Sequence, residues 1–473
     1  MGSGASIFFS ESEARLGSLG ITPFILGPPL PNILAEWAAI LPLVCHLASH
    51  RDDYITTGEI ALLGRLYVGL FPRLGTLSSI ARLLERGTKF LDCASTKGGS
   101  GRTVWDVKWG SVFPCANGAA SAAISKHLES RDTIPLQRMP EMLPRQSFKI
   151  GHERPTRQSS SIPKPVFTST KGEVNDFVPK TRPVEKGSIR RFQTLRVYRF
   201  YYKQPPGTPR RHLNQLWLSR TCQNLWFTLL IAVAVFLSLF GAYGTAAVLL
   251  CTSISELVAQ CIQIPRPSSY LKNTETHDSC MLAASHQNAT EWHLYIGDRA
   301  IVDTILNKPM FIVPEGGSAH LAASWFRFAH LLQLAGMTFV AAQKGWDGVC
   351  LVTLLVVHWA FYLSLRGRNL ASDWLEREGV EVRVQGFEFS GRLSMLGAIQ
   401  VFSKTKITGW MDSILAPHPR REAWLGRLRG EEPVDNFDAH DTKWIERAAE
   451  ASLASGEVLN RIFGATNIDK ASV

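Results

Sequence analysis

Between Arg220 and Arg266 the chain runs from Thr221 to Ile264 with Glu256 as its single formally charged side chain. One α-helix of that length would rise about 66 Å, whereas the hydrocarbon core of a bilayer is about 30 Å thick. The run therefore has to double back, and Gly241-Ala-Tyr-Gly244 near its middle supplies two residues that turn without a Cβ clash. The reading is two crossings, 221–240 and 245–263, joined as a helical hairpin. Phe328 to Leu365 repeats the pattern around Lys344-Gly-Trp-Asp-Gly348 and gives a second hairpin, 322–342 and 346–365. These two blocks set the expected fold class: mainly α, a polytopic helical membrane protein with two transmembrane hairpins, a small cytoplasmic α+β module and a disordered basic linker.

Charge placement orients this arrangement. The chain carries 51 Lys+Arg against 40 Asp+Glu, a net +11, but 25 basic and 10 acidic residues fall between Glu85 and Arg220, so that segment alone holds +15. Arg190, Arg191, Arg210, Arg211 and Arg220 precede the first hairpin, and Arg366 and Arg368 follow the second. By the positive-inside rule both flanks are cytoplasmic. A basic segment beside apolar helices favours anionic lipid head groups over nucleic acid. The eight cysteines, Cys45, Cys93, Cys115, Cys222, Cys251, Cys261, Cys280 and Cys350, show no CxxC pair, which argues against a zinc site and against a disulfide framework. No metal or cofactor is expected.

The remaining segments divide by composition. Residues 1–86 form an N-terminal membrane-associated part: Ile21 to Ser49 is apolar but broken by prolines, either a crossing or an interfacial segment. Glu59 to Arg86 places leucines at helical spacing with Arg65, Arg73, Arg82 and Arg86 among them. Residues 87–189, rich in Gly, Ser, Pro and basic side chains, offer too little apolar surface to offset the entropy of ordering and read as a disordered linker. Residues 190–264 are the basic flank and first hairpin, 265–320 a structured polar loop, 321–365 the second hairpin, 366–430 the α+β module, and 431–473 an acidic stretch with a terminal helix. Glu291 to Ile296 and Val380 to Gln385 alternate as strands, and Arg299 to Leu306 and Leu393 to Phe402 have helical spacing.

Ionisable groups inside apolar helices are costly enough to be candidate sites. Glu256 and Arg327 sit at matching ends of their helices, and a Glu256–Arg327 pair would neutralise both while tying the hairpins together. His330 shares a face with Arg327, and His358 lies deeper, where a hydrogen-bonded neutral imidazole is expected. Lys344 and Asp347 are expected to rim their turn and meet water. In the polar loop, His277, Asp278, His286, His293 and Asp298 match no zinc, triad or phosphate spacing. Asn288-Ala-Thr290 is a glycosylation acceptor sequence that the crossing count and the arginine flanks oppose.

Trp292-His-Leu-Tyr-Ile-Gly-Asp-Arg299, Lys344-Gly-Trp-Asp-Gly348, Phe389-Ser-Gly-Arg392, and Trp410-Met-Asp412 with Ala416-Pro-His-Pro-Arg-Arg421 resemble a group of uncharacterised multipass membrane proteins of filamentous fungi. The resemblance implies membrane residence and brings no catalytic residue. The functional expectation is an integral, non-enzymatic membrane or scaffold protein that binds a partner or lipid head groups through cytoplasmic modules. Self-association into a homo-oligomer is part of that reading. An oligomeric transporter or channel, which needs polar groups converging at mid-membrane, and a membrane-embedded enzyme using the loop histidines are the alternatives.

Overall fold

The computed structural model describes residues 28, 30–69, 71–96, 101–131, 135–140, 191–203, 213–273, 275, 277–343, 345–365, 370–431 and 437–464. They belong to two compact units. The first comprises Met1–Gln137, Thr194–Phe387 and Ser403–Pro417, the second Arg138–Gln193, Glu388–Phe402 and His418–Val473.

The first part of the chain gives α1 (Asn32–Ala48), α2 (Asp53–Leu63), α3 (Thr76–Arg86), α4 (Thr88–Thr96), β1 (Thr103–Asp106), β2 (Val112–Pro114), α5 (Gly118–Arg131), β3 (Leu136–Arg138) and β4 (Gln193–Tyr202). The middle gives α6 (Leu213–Leu239), α7 (Tyr243–Cys261), β5 (Ser279–Ala284), β6 (Glu291–Gly297), α8 (Arg299–Leu306), α9 (Gly317–Gln343) and α10 (Trp346–Leu365). The rest gives α11 (Leu370–Glu378), β7 (Val380–Phe389), α12 (Arg392–Ser403), α13 (Pro419–Leu428) and α14 (Ala439–Phe463). The strands form one seven-stranded sheet in the order β2-β1-β5-β6-β4-β7-β3. It is mixed: β1 runs antiparallel to β2 and β5, β5 antiparallel to β6, and β4 parallel to β6 with Tyr198 opposite Tyr295.

Period-two alternation explains the central strands. In β6, Trp292, Leu294 and Ile296 point to one face and His293 and Tyr295 to the other, and all five are buried. Trp292 meets Trp105 of β1 with ring centroids 5.6 Å apart, and the Trp105 indole donates to Ser413 Oγ at 2.7 Å. Gly297 ends β6 at φ +108, where an added Cβ would stand 2.1 Å from the Phe200 carbonyl oxygen, so only glycine fits this junction with β4. The Asp298 carboxylate then accepts the Ala300 N–H at 2.9 Å and starts α8 as its N-cap.

Two cores share the long helices of the first unit. The sheet-side core takes Ile60, Ile80 and Leu84 from α2 and α3, Ile124 from α5, Ile301 and Ile305 from α8, and Ala323 and Phe326 from the first half of α9. The second core takes Leu230 and Ala234 from α6, Val248 and Leu249 from α7, Met337 and Val340 from the second half of α9, Leu351 from α10, and Phe71. In the second unit, α12 and α14 pack through glycine: a Cβ on Gly397 would lie 2.3 Å from Ser452 Oγ, and one on Gly456 would lie 2.6 Å from Val401.

This architecture corrects the polytopic fold class. Among the described residues, Tyr243–Cys261 alone is long and apolar enough to cross a membrane. A second span would exist only if Asn32–Ala48 and Asp53–Leu63, which bend by 80° at their break, counted as one. The apolar parts of the neighbours are short, Phe227–Leu239 in α6 and Trp346–Ala360 in α10. Each block does break into two helices, but counting charge-free length overstated their apolarity, because uncharged polar residues such as Gln223, Asn224 and Gln333 pass a charge count.

Three further expectations are corrected. The linker is not wholly disordered: β1, β2, α5 and β3 fall inside 87–189, with Val104 and Trp105 fully buried, while 141–190 lie outside the described residues. The α+β module over 366–430 is not one unit: β7 joins the same sheet as β4 and β6, and the segment is divided between the two compact units. The single amphipathic helix over 59–86 is two helices, separated at Gly64, whose φ of +71 forms the left-handed C-cap of α2.

Candidate functional site

The histidines of the polar loop do not converge on one another. His277 and His286 are exposed, and His286 Nδ1 accepts the Asn288 N–H at 3.1 Å in the exposed turn between β5 and β6. His293 instead points into the sheet.

What His293 joins is a polar network that the sequence reading missed. Ser121, Ser125 and Glu129 recur every four residues on α5 and form one stripe facing the sheet. Arg102 donates to the Tyr295 hydroxyl at 3.0 Å, and Tyr295 is 2.9 Å from Ser125 Oγ. Ser125 donates to the Ser121 carbonyl at 2.8 Å, so the Tyr295 proton points to Ser125. Ser121 in turn donates to the Gly118 carbonyl at 2.9 Å and accepts from the Cys115 thiol, with Sγ 3.8 Å away. Tyr198 donates to Glu129 at 2.9 Å, which leaves its oxygen to accept from His293 Nδ1 at 3.2 Å and fixes the imidazole as the Nδ1–H tautomer. Arg196 balances Glu129 at 3.1 Å.

Burial favours the neutral forms of Tyr198, Tyr295, Cys115 and His293. It pushes the Tyr198, Tyr295 and Cys115 protons to higher pKa and holds the His293 imidazole well below 6.5. Each hydroxyl proton of Tyr198, Tyr295, Ser121 and Ser125 has an acceptor in this arrangement. The hydrogen bonds of this network make it a polar part of the sheet-side core.

The helical layer is the other candidate. The loop between α2 and α3 is partly buried: Phe71 lies in the second core, with its ring 5.8 Å from that of His358. A non-helical segment there needs partners for its backbone, and the helices supply them. Glu256 of α7 accepts the Val68 N–H at 3.1 Å, and the Gln333 amide of α9 donates to the Pro72 carbonyl at 3.1 Å. At the other end of the layer, Asp347 accepts from the Gly244 and Thr245 N–H groups at 2.7 and 2.8 Å and so caps α7 from a neighbouring helix.

These contacts correct two expectations. Glu256 and Arg327 do not pair: Glu256 serves the loop backbone, while Arg327 is exposed and bonds Glu85 of α3. Asp347 does not meet water; it is 6% exposed, because the start of α7 claims its oxygens. Lys344 lies outside the described residues. His330 and His358 are half-buried on α9 and α10. Arg190, Arg210, Arg211, Arg366 and Arg368 lie outside the described residues, Arg220 falls in α6 where side chains are not described, and Arg191 is an exposed residue just before β4. Asn288 is exposed.

Each of α1, α6, α9 and α10 also turns large apolar side chains outward. On α6, Leu225, Leu229, Val235, Phe236 and Leu239 face outward, with Leu225 71% and Phe236 57% exposed. Phe328, Leu331 and Phe339 do the same on α9, Val356, Val357 and Trp359 on α10, and Ile33, Trp37, Ile40 and Val44 on α1. No family model, curated protein or solved structure matches this chain.

Proposed function

We propose that this chain is a non-enzymatic membrane-seated scaffold, in which α1, α6, α9 and α10 turn their outer faces to lipid and the seven-stranded sheet is held on the aqueous side. The observation that carries the reading is the outward stripe of α6, with apolar side chains and no charge from Leu225 to Leu239. Monomeric soluble proteins rarely expose contiguous apolar patches larger than a few hundred Å². Helices with such faces favour lipid as their solvent. Exposed Arg65 and Arg73 of the α2–α3 loop, Arg86 of α3 and Lys89 of α4 supply positive charge suited to anionic head groups. The saturated tyrosine network supports a structural part over a catalytic one.

The test is extraction. Alkaline carbonate and high salt are expected to leave the full chain in the membrane pellet, with detergent needed for release. A stable monomer or oligomer recovered in detergent-free buffer overturns the reading, since the apolar faces would then be covered by the protein itself.

A further inference from the structure

The sheet leaves part of its second-longest reach of backbone without a neighbour. β7 is ten residues long, and β3, which closes the sheet beside it, is three. The place of β3 is fixed by the Met139 N–H, which donates to the Glu388 carbonyl at 3.0 Å near the C-terminal end of β7. Among the described residues, Val380 to Gln385 therefore has no strand on its outer side.

The backbone of this stretch is set to pair. Successive residues of a strand turn their N–H and C=O groups to opposite sides. The Gly379 carbonyl accepts the Lys203 N–H at 2.9 Å on the β4 side, and Glu388, an odd number of residues further on, uses the β3 side. Val380, Val382 and Val384 thus direct their N–H and C=O groups outward. A row of such groups is a template for another strand.

The side chains select that strand. Val380, Val382 and Val384 share one face, where Val382 and Val384 pack half-buried on the sheet-side core, and Glu381 and Arg383 are exposed on the other. Tyr201 of β4 hydrogen-bonds to both charged groups and holds them on that face. Edges that avoid association carry charges a second strand cannot match; β7 carries one of each sign, two residues apart. When two copies of β7 lie antiparallel about Val382, Glu381 of each stands opposite Arg383 of the other. These are non-hydrogen-bonded positions, where facing side chains come closest. Val382 meets its own copy and Val380 meets Val384, a register with about six backbone hydrogen bonds. The added valines also cover the open sides of Val382 and Val384.

We infer that the outer edge of β7 from Val380 to Gln385 is a self-association surface, on which a second copy of this chain adds its own β7 antiparallel about a two-fold axis at Val382. The inference does not rest on the lipid seat, because the edge is the same in detergent and in buffer.

The test is the mass of the purified full chain, read by sedimentation equilibrium in density-matched detergent. The parent is expected to sediment as a dimer. Glu381→Arg and Arg383→Glu each set like charges opposite one another at both positions, and each is expected to sediment as a monomer. Mixing these two variants is expected to restore a dimer containing one of each, and the double swap Glu381→Arg with Arg383→Glu in one chain to restore self-association; either recovery requires that the altered chains are folded. A monomeric parent overturns the inference, as do single variants that stay dimeric. Single variants that fall to monomers but recover neither on mixing nor in the double swap overturn it as well.

Discussion

Glu256 and Val68, 188 residues apart, are joined by a hydrogen bond in which the carboxylate accepts the backbone N–H at 3.1 Å. The bond holds an irregular loop inside a helical bundle, where an unmatched backbone group would cost about 1–3 kcal/mol. Glu256→Leu is expected to destabilise the detergent-solubilised chain by an amount in that range, read as a lower unfolding midpoint, and Glu256→Gln, which keeps an acceptor oxygen, by less. The charge swap Glu256→Arg with Arg327→Glu is expected not to restore stability, because the two side chains do not meet. Recovery in the swap would reinstate a direct pair.

Asp347 performs the equivalent service at the other end of α7. Asp347→Ala removes the acceptor of two N–H groups and is expected to cost about 2 kcal/mol, at the upper end for an N-cap because the site is buried. Asp347→Asn retains one oxygen and is expected to recover part of the loss. Urea unfolding in mild detergent would show both; an Asp347→Ala chain as stable as the parent would place the carboxylate in water.

His293 gives the molecule a pH dependence of known sign. Burial holds its folded pKa well below 6.5, so the folded state stays unprotonated where the unfolded chain takes up a proton. The stability it contributes is full above 6.5 and is lost as pH falls from 6.5 towards the folded value, at up to about 1.4 kcal/mol per pH unit. Between pH 7 and 5 the parent is expected to lose more stability than His293→Gln, measured as the difference in unfolding midpoints across that range. Parallel profiles would mean the imidazole is protonated in place.

The sequence made some of this legible and hid the rest for physical reasons. Helix breaks at Gly241–Gly244 and near Gly345 followed from glycine and length, and β6 and β7 from clean alternation, all of which are local signals. β1, β2 and β5 were missed because each is six residues or fewer, and β5 is buried on both faces, so it shows no alternation at all. β4 was hidden by its arginines, which read as a membrane flank although Arg196 is an ion-pair partner of Glu129 on the sheet. The partners of Glu256, Gln333 and Asp347 were out of reach for a different reason. Each binds backbone, which carries no side-chain signature, at sequence separations of 188, 261 and about a hundred residues. Searching for a countercharge inside the helices therefore found Arg327, a residue of the right sign in the wrong place.

The C-terminal end of α2 offers a test of shared capping. Arg266 donates to the carbonyls of Ala61 and Met310 at 2.6 and 2.7 Å and to that of Leu62 at 3.4 Å, with its guanidinium 4.5 Å over the Tyr270 ring. Arg377 donates to Leu62 and Leu63 at 2.6 and 3.0 Å. Two cations thus satisfy the carbonyls that the helix leaves unpaired and oppose the negative end of its dipole. Leu62 keeps a donor when either arginine is lost but has none when both are. Arg266→Ala and Arg377→Ala are each expected to cost about 1–3 kcal/mol, and the double variant more than their sum, because it alone orphans the Leu62 carbonyl. Strict additivity in urea unfolding would mean the two arginines act on separate groups. Arg266→Lys is expected to behave closer to alanine than to arginine, since one ammonium cannot reach carbonyls on two different segments while stacked on a ring.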